Sequence, residues 1–160
     1  MLRSDPLDVT SIWELALRLG LAALIGLLLG LDREMRGHDA GIRTHALVAL
    51  SSAMIMVSSL LLYAEMRGNG EDAPDPLRAV QGLAQSIGFI AAGLIFVRGG
   101  AVRNMTTAAN IWIAAAVGIA CGCGQYGLVL IGAGLALVLL TVLKLFERYL
   151  PSEKIGEDAD

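Results

Sequence analysis

The sequence predicts an all-α fold: a polytopic membrane bundle of about five transmembrane helices, with the N-terminus outside and the C-terminus cytoplasmic. Three observations carry this expectation. Long apolar runs alternate with short charged turns, apolar residues make up 56% of the chain against 17% charged, and basic residues gather on alternate turns. An ordinary soluble domain lies nearer half apolar and a quarter charged. The net charge of −3 offers no basic excess for nucleic acid. A length of 160 residues fits one domain, 1–150, followed by a short polar tail at 151–160.

A helix rising 1.5 Å per residue needs about 20 residues to cross roughly 30 Å of hydrocarbon. The runs at 12–31 and 46–64 meet that length outright. A third span at 79–97 is interrupted by Gln81, Gln85 and Ser86. The fourth, 106–123, opens with polar residues, and the fifth, 127–146, is almost purely aliphatic. A soluble helical bundle would need a polar face on each helix, and the second and fifth runs have none. The leading MLRSDPLDVT carries Asp5, Pro6 and Asp8 where a signal peptide has a basic region, so this N-terminus is expected to be retained.

Orientation follows from Lys and Arg. Arg33, Arg36, Arg43, Arg98, Arg103 and the basic residues near the C-terminus fall on one side. Arg3, Arg18, Arg67 and Arg78 fall on the other. The richer side is assigned to the cytoplasm. The charges between residues 32 and 43 thus act first as a topological anchor, which accounts for the arginines but not for Asp32, Glu34 and Asp39.

Several motifs add detail. Gly26-Leu-Leu-Leu-Gly30 is a GxxxG pair, a flat stripe where another helix backbone can approach closely, and Ala84, Gly88 and Ala92 form a similar ladder. Spans one, three and four are therefore expected to pack together. Glu14 and Arg18, four residues apart, read as a pair snorkelling to the headgroups. Asp75 is placed to cap the third helix, with Pro76 at its first position. Arg78, Gln81 and Gln85 recur at helical spacing, so that face must meet other helices or a wet cavity. Both readings stand: interhelical hydrogen bonds, or a lining for a polar solute. Asn104, Thr106, Thr107 and Asn110 repeat the theme at the start of span four, beside Trp112. Cap roles suffice for Asn104 and Thr106, whereas Asn110 lies deeper. Cys121 and Cys123 read as small packing residues, since no second pair completes a zinc site. Phosphate-loop, nucleophile-elbow and HExxH patterns are absent from the sequence, so an enzyme is not expected.

Three stretches carry a family resemblance. GLDREMRGHDAGIRTHALVAL, residues 30–50, resembles the opening signature of the MgtC/SapB membrane proteins, a GLERExRGxxAGLRT-like stretch closing an apolar helix. DPLRAVQGLAQSIGFIAAGLI, residues 75–95, is similar to that family's DPxRVxQGIxxGIGFLGAG segment. VRNMTTAANIWIAAAVGIACGCGQYGLVL, residues 102–130, is similar to its VxGLTTAAxLWxxAAIGxxxGxGxY stretch. The matches keep the family's order. They imply a small, multi-pass protein of the bacterial inner membrane, linked to magnesium limitation. Such a protein would modulate ion homeostasis through other membrane proteins such as ATP synthase or ion pumps. The alternative is direct transport of Mg2+ or another small solute.

Position by position, the resemblance picks out Asp32, Arg33, Glu34, Arg36, Arg43 and Thr44, then Asp75, Arg78, Gln81 and Gly82, then Thr106, Thr107 and Trp112. Asp32 replaces the usual Glu. Gln85, Ser86 and Ala91 stand where small residues or glycines are usual, and Asn110 where Gly is common. Many relatives carry a soluble domain after the last helix, and this chain is expected to be a short form without it. Two sites are therefore expected. One is a cytoplasmic charged network of Asp32, Arg33, Glu34, Arg36, Arg43, Thr44 and Arg103. The other is a polar cavity of Asp75, Arg78, Gln81, Gln85, Thr106, Thr107, Asn110 and Trp112. Helix packing is assigned to Gly26, Gly30, Gly82, Gly88 and Ala92. No cofactor is expected, though the resemblance allows an association with Mg2+. The expected partners are the lipid bilayer, other membrane proteins and a second copy in a homodimer; nucleic acid is not among them.

Overall fold

A computed structural model of the chain describes residues 11–35, 37, 40–98 and 101–147, without the side chains of residues 32, 98, 101 and 143–147. The tail at 151–160, together with Arg36, His38 and Asp39, lies outside the described residues. Helices α1 (Ile12–Glu34), α2 (Ile42–Gly68) and α3 (Leu77–Leu94) come first. A short antiparallel hairpin, β1 (Phe96–Arg98) and β2 (Ala101–Arg103), precedes α4 (Met105–Gly122) and α5 (Tyr126–Glu147). The fold is all-α apart from that hairpin.

The helix ends follow local chemistry. After α2, the N–H of Glu71 donates to the Met66 carbonyl and that of Gly70 to Arg67. After α4, Gln125 donates to Ala120 and Gly124 to Cys121 in the same pattern. Both turns need a left-handed residue, supplied by Gly70 at φ +76° and Gly124 at φ +69°. Asp75 accepts the Leu77 N–H at 2.9 Å, while Pro76 occupies the cap position itself. Helix α3 stops at Leu94, short of the expected Val97, because Ile95 turns extended and Phe96-Val97-Arg98 pairs with Ala101-Val102-Arg103. β-branched and aromatic residues on either side of a Gly-Gly dipeptide are a hairpin pattern. Asn104 enters α4 from the left-handed region at φ 63° and caps it without a side-chain bond. The expected side-chain cap is thus replaced by a backbone one.

Packing centres on α4, the most buried helix, which lies against both α1 and α2 on one side and against α3 and α5 on the others. In lipid, helices gain little from hiding apolar surface from one another, so close backbone contact matters more. A Cβ added at Gly26 would lie 2.7 Å from the His45 carbonyl oxygen, and one at Gly30 would lie 2.7 Å from Ile42 Cα. The GxxxG pair of α1 therefore receives α2. On α4, a Cβ at Gly118 would overlap the Ala49 carbonyl oxygen, and one at Gly122 would lie 2.8 Å from that of Ala53.

These contacts correct the expected grouping. The tight trio is α1, α2 and α4, and α3 lies outside it against α4. The reason is the small-residue face of α2, where fully buried Ala49 and Ala53 let two backbones come close. Of the packing residues assigned to α3, only Gly88 meets a neighbour: a Cβ added there would lie 3.4 Å from a Trp112 ring carbon. Gly82 has open space around it, and Ala92 is exposed.

The outward surface is apolar: Trp13, Leu24, Leu47, Phe89, Leu130 and Leu135 are all more than half exposed. Ile12–Leu31, Ile42–Gly68 and Met105–Gly122 are long and apolar enough to cross a membrane. Helix α3 is diluted by Arg78, Gln81, Gln85 and Ser86. This is the surface of a membrane protein.

Gly118→Ala is expected to cost about 1–3 kcal/mol, because α2 and α4 must separate to admit the methyl group. Gly132→Ala, where nothing lies within 4 Å of the added carbon, is expected to be neutral. Thermal melts of both variants in the same detergent check this; equal melting temperatures would contradict the close α2–α4 contact.

Candidate functional site

Among the described residues, the buried polar side chains are Arg18, Arg33, His45, Ser52, Thr107 and Asn110, none more than 4% exposed. All six belong to α1, α2 or α4. They form a polar column through the tight trio, with an arginine near each end of α1.

At the N-terminal end of α1, the Arg18 guanidinium donates through Nε to Glu14 at 2.8 Å and through Nη1 to the Gly122 carbonyl at 2.9 Å. The Tyr126 hydroxyl donates to the same Glu14 carboxylate at 2.5 Å. Gly124 leaves room for the guanidinium, since a Cβ there would stand 2.9 Å from Arg18 Nη2. One cation thus joins α1 to the last turn of α4 and, through Glu14, to the first residue of α5. A cation at a helix C-terminus also faces unsatisfied carbonyls and the negative end of the helix dipole. The pair is not a snorkelling one: Arg18 is 3% exposed and turned into the protein.

Toward the Arg33 end of the column, Asn110 Nδ2 donates to the Leu29 carbonyl at 3.1 Å, tying α4 to α1. His45 Nδ1 lies 2.8 Å from the Gly41 carbonyl, which can only accept. The proton of a neutral ring therefore sits on Nδ1, leaving Nε2 as an acceptor. His45 Nε2, Ser52 Oγ and Thr107 Oγ1 meet no hydrogen-bond partner among the described residues. Arg33 is buried at the opposite end of α1 from Arg18. Glu34, exposed, accepts the Ile42 N–H at 3.1 Å and so closes the turn between α1 and α2.

The two expected sites fare differently. Of the charged network, Arg33 is buried and Thr44 half-buried, while Arg43 and Arg103 are exposed. Asp32's side chain and Arg36 lie outside the described residues. Arg43 and Thr44 fall on the first turn of α2 rather than in a loop.

The expected polar cavity is not brought together. Thr107 and Asn110 face the column, whereas Arg78, Gln81, Gln85 and Thr106 are exposed and Asp75 caps α3 from the surface. Helix α3 turns its apolar side to α4. Val80, Leu83, Ala84 and Ile87 meet Trp112, Ala115 and Ile119 around an apolar groove of about 200 Å3. The richer apolar face wins the contact, which leaves the amides outside.

His45, Ser52, Tyr126 and the burial of Arg18 were not singled out from the sequence. A signal existed for the first two: His45, Ala49, Ser52, Ala53 and Met56 repeat at helical spacing as the buried stripe of an otherwise apolar α2. Cys121 is fully buried with its thiol free, as a packing residue would be. Among the described residues no three His, Cys, Asp or Glu side chains gather.

The chain matches the MgtC family profile over residues 19–149. It is 39% identical over 142 residues to SrpB of Synechococcus elongatus, covering 84% of this chain and 77% of SrpB. YhiD of Escherichia coli K12, which is named as a candidate magnesium transporter, is 39% identical over 129 residues, 81% of this chain. MgtC of Brucella abortus is 41% identical over 103 residues, 64% of this chain. The chain spans 60% of the length of YhiD and 40% of that of the Brucella protein. No solved structure matches it.

Glu14→Gln is expected to cost about 3 kcal/mol, because a buried guanidinium loses its counter-charge. Tyr126→Phe removes one hydrogen bond and is expected to cost about 1 kcal/mol. Unfolding titrations in mixed micelles rank the two; a larger loss for Tyr126→Phe would remove Arg18 from the centre of that cluster.

Proposed function

Because the chain belongs to the MgtC family, we propose that it modulates ion handling in the bacterial inner membrane by contact with other membrane proteins, above all when magnesium is scarce. The partners that fit are those that move ions, such as an ATP synthase or an ion pump. In this reading the chain crosses the membrane several times, with its N-terminus outside, in line with the distribution of arginines. It performs no catalysis, and Mg2+ acts on it as a signal or a passing ligand rather than as a resident cofactor.

The observation that carries this reading is the closed interior of the trio. Backbone meets backbone at Gly26, Gly30, Gly118 and Gly122, where no ion could pass between the helices. Asn110 is tied to a carbonyl and Arg18 to a carbonyl and a carboxylate, so these groups brace helices rather than line a path. The amides of α3 point away from the trio.

A second reading is transport of Mg2+ or another small solute, favoured by the name carried by the Escherichia coli relative. Mg2+ is held mainly by oxygen ligands, with carboxylates prominent. Glu14, the carboxylate beside the column at Arg18, is already engaged by Arg18 and Tyr126.

Liposomes holding purified protein and a trapped magnesium indicator separate the two. The modulator reading expects Mg2+ entry no faster than in empty liposomes, with helicity by circular dichroism showing that the protein is folded. Saturable entry, abolished in an Arg78→Ala/Gln81→Ala variant, would replace modulation by transport along α3.

A further inference from the structure

The outer face of α3 carries two exposed carboxamides, Gln81 and Gln85, on a helix packed at membrane depth. Its depth follows from its neighbour. Gly88 lies against Trp112, and Ala84 shares a groove with Ala116, so α3 runs antiparallel to α4 in a fixed register. Extending that register places Gln85 level with Ala115 and Gln81 level with Ile119. Helix α4 runs from Met105 to Gly122 and is itself long and apolar enough to span the membrane. At 1.5 Å per residue, Gln85 sits about 2–3 Å from the middle of α4 and Gln81 about 8 Å from it. Both fall well inside a half-thickness of roughly 15 Å.

Gln81 and Gln85 are exposed there, and neither amide has a partner among the described residues. Hydrocarbon offers an amide no hydrogen bond, so a bare face of this kind is unfavourable against lipid. Ser86, by contrast, satisfies itself by donating to the Gly82 carbonyl at 2.8 Å. The same face carries Gly82 and Gly93, both with empty space where a side chain would be. Gly26, Gly30, Gly118 and Gly122 in the trio meet neighbouring backbones, whereas these two face open space.

We propose that this face of α3 binds the same face of a second copy of the chain, with Gln81 and Gln85 pairing across a two-fold axis normal to the membrane. Copies in one membrane share an orientation, and such an axis brings each residue opposite its own equivalent. That geometry admits few polar residues. Like charges would repel, but a carboxamide both donates and accepts and so complements itself. Ala92, exposed at helical spacing with Gln81 and Gln85, is small enough for the two backbones to come near. The pairing holds whether the chain modulates or transports.

The test uses the full chain in liposomes, with Cys121→Ala and Cys123→Ala removing the native thiols. In that background Gln85→Cys is expected to form a disulfide-linked dimer on mild oxidation, well ahead of Leu135→Cys on the lipid-facing side of α5. A separate Gln81→Leu/Gln85→Leu variant, with a more apolar surface and so no reason to misfold, is expected to weaken dimerisation at least about tenfold. Energy transfer between labelled copies, measured across protein-to-lipid ratios, reads that change. Equal crosslinking at both cysteine positions would overturn the proposal, as would unchanged energy transfer in the leucine variant. If the wild-type chain is monomeric at all densities, yet Gln85→Cys crosslinks to another protein in native membranes, the occupant is a different partner and the self-pairing is wrong.

Discussion

Everything else in this fold depends on three backbones coming into contact. In a bilayer, apolar side chains gain little by leaving lipid for one another, so a bundle needs short-range contact to hold it. Gly26 and Gly30 admit α2 against α1, and Gly118 and Gly122 admit α2 against α4. Such contacts have steep distance dependence and few alternative registers. Once they are set, the longer-range polar links have little freedom. Asn110 reaches the Leu29 carbonyl, and Arg18 reaches the Gly122 carbonyl, because the helices are already held at that height.

The same constraint divides the polar residues between two environments. The buried ones belong to α1, α2 and α4, where Arg18 and Asn110 each donate to a carbonyl of a neighbouring helix. Those on α3 are left outside, because α3 approaches the trio chiefly through α4 and uses Val80, Leu83 and Ile87 to do so. A polar residue in a membrane helix thus has no fixed meaning of its own. Asn110 and Gln85 are chemically alike, yet one braces the interior and the other faces outward.

Much of the architecture was legible in the sequence. Hydrophobic length marks the helices, and the GxxxG spacing marks a face of close approach. Three ordered motifs point to the family. The partner of each face was not legible. Gly26 and Gly30 announce that some helix comes near, but only the alanines on α2 decide which one. The polar spacing on α3 is plain from Arg78, Gln81 and Gln85, whereas its direction depends on a contest between two faces of one helix, decided by Trp112 and Ile119 on α4. The hairpin after Leu94 was missed because three β-prone residues read equally well as the end of an apolar span. Arg18 was misread for a related reason. An i,i+4 pair near a helix end fits a headgroup anchor until Tyr126 and the Gly122 carbonyl, more than a hundred positions later, are seen beside it.

That separation along the chain has a consequence for how the protein is made. A ribosome delivers α1 to the membrane long before α4 and α5 exist, so during synthesis Arg18 must enter the bilayer without the carbonyl that later receives it. Glu14, one turn away, travels with it and can neutralise it from the first moment. The pair is thus an escort for a charge in transit as well as a bond in the finished fold. Until Gly122 and Tyr126 arrive, α1 is held by a partnership that is complete only in part, and it stays free to shift in depth. Helix α4, with the Gly122 carbonyl, and the start of α5, with Tyr126, end this freedom.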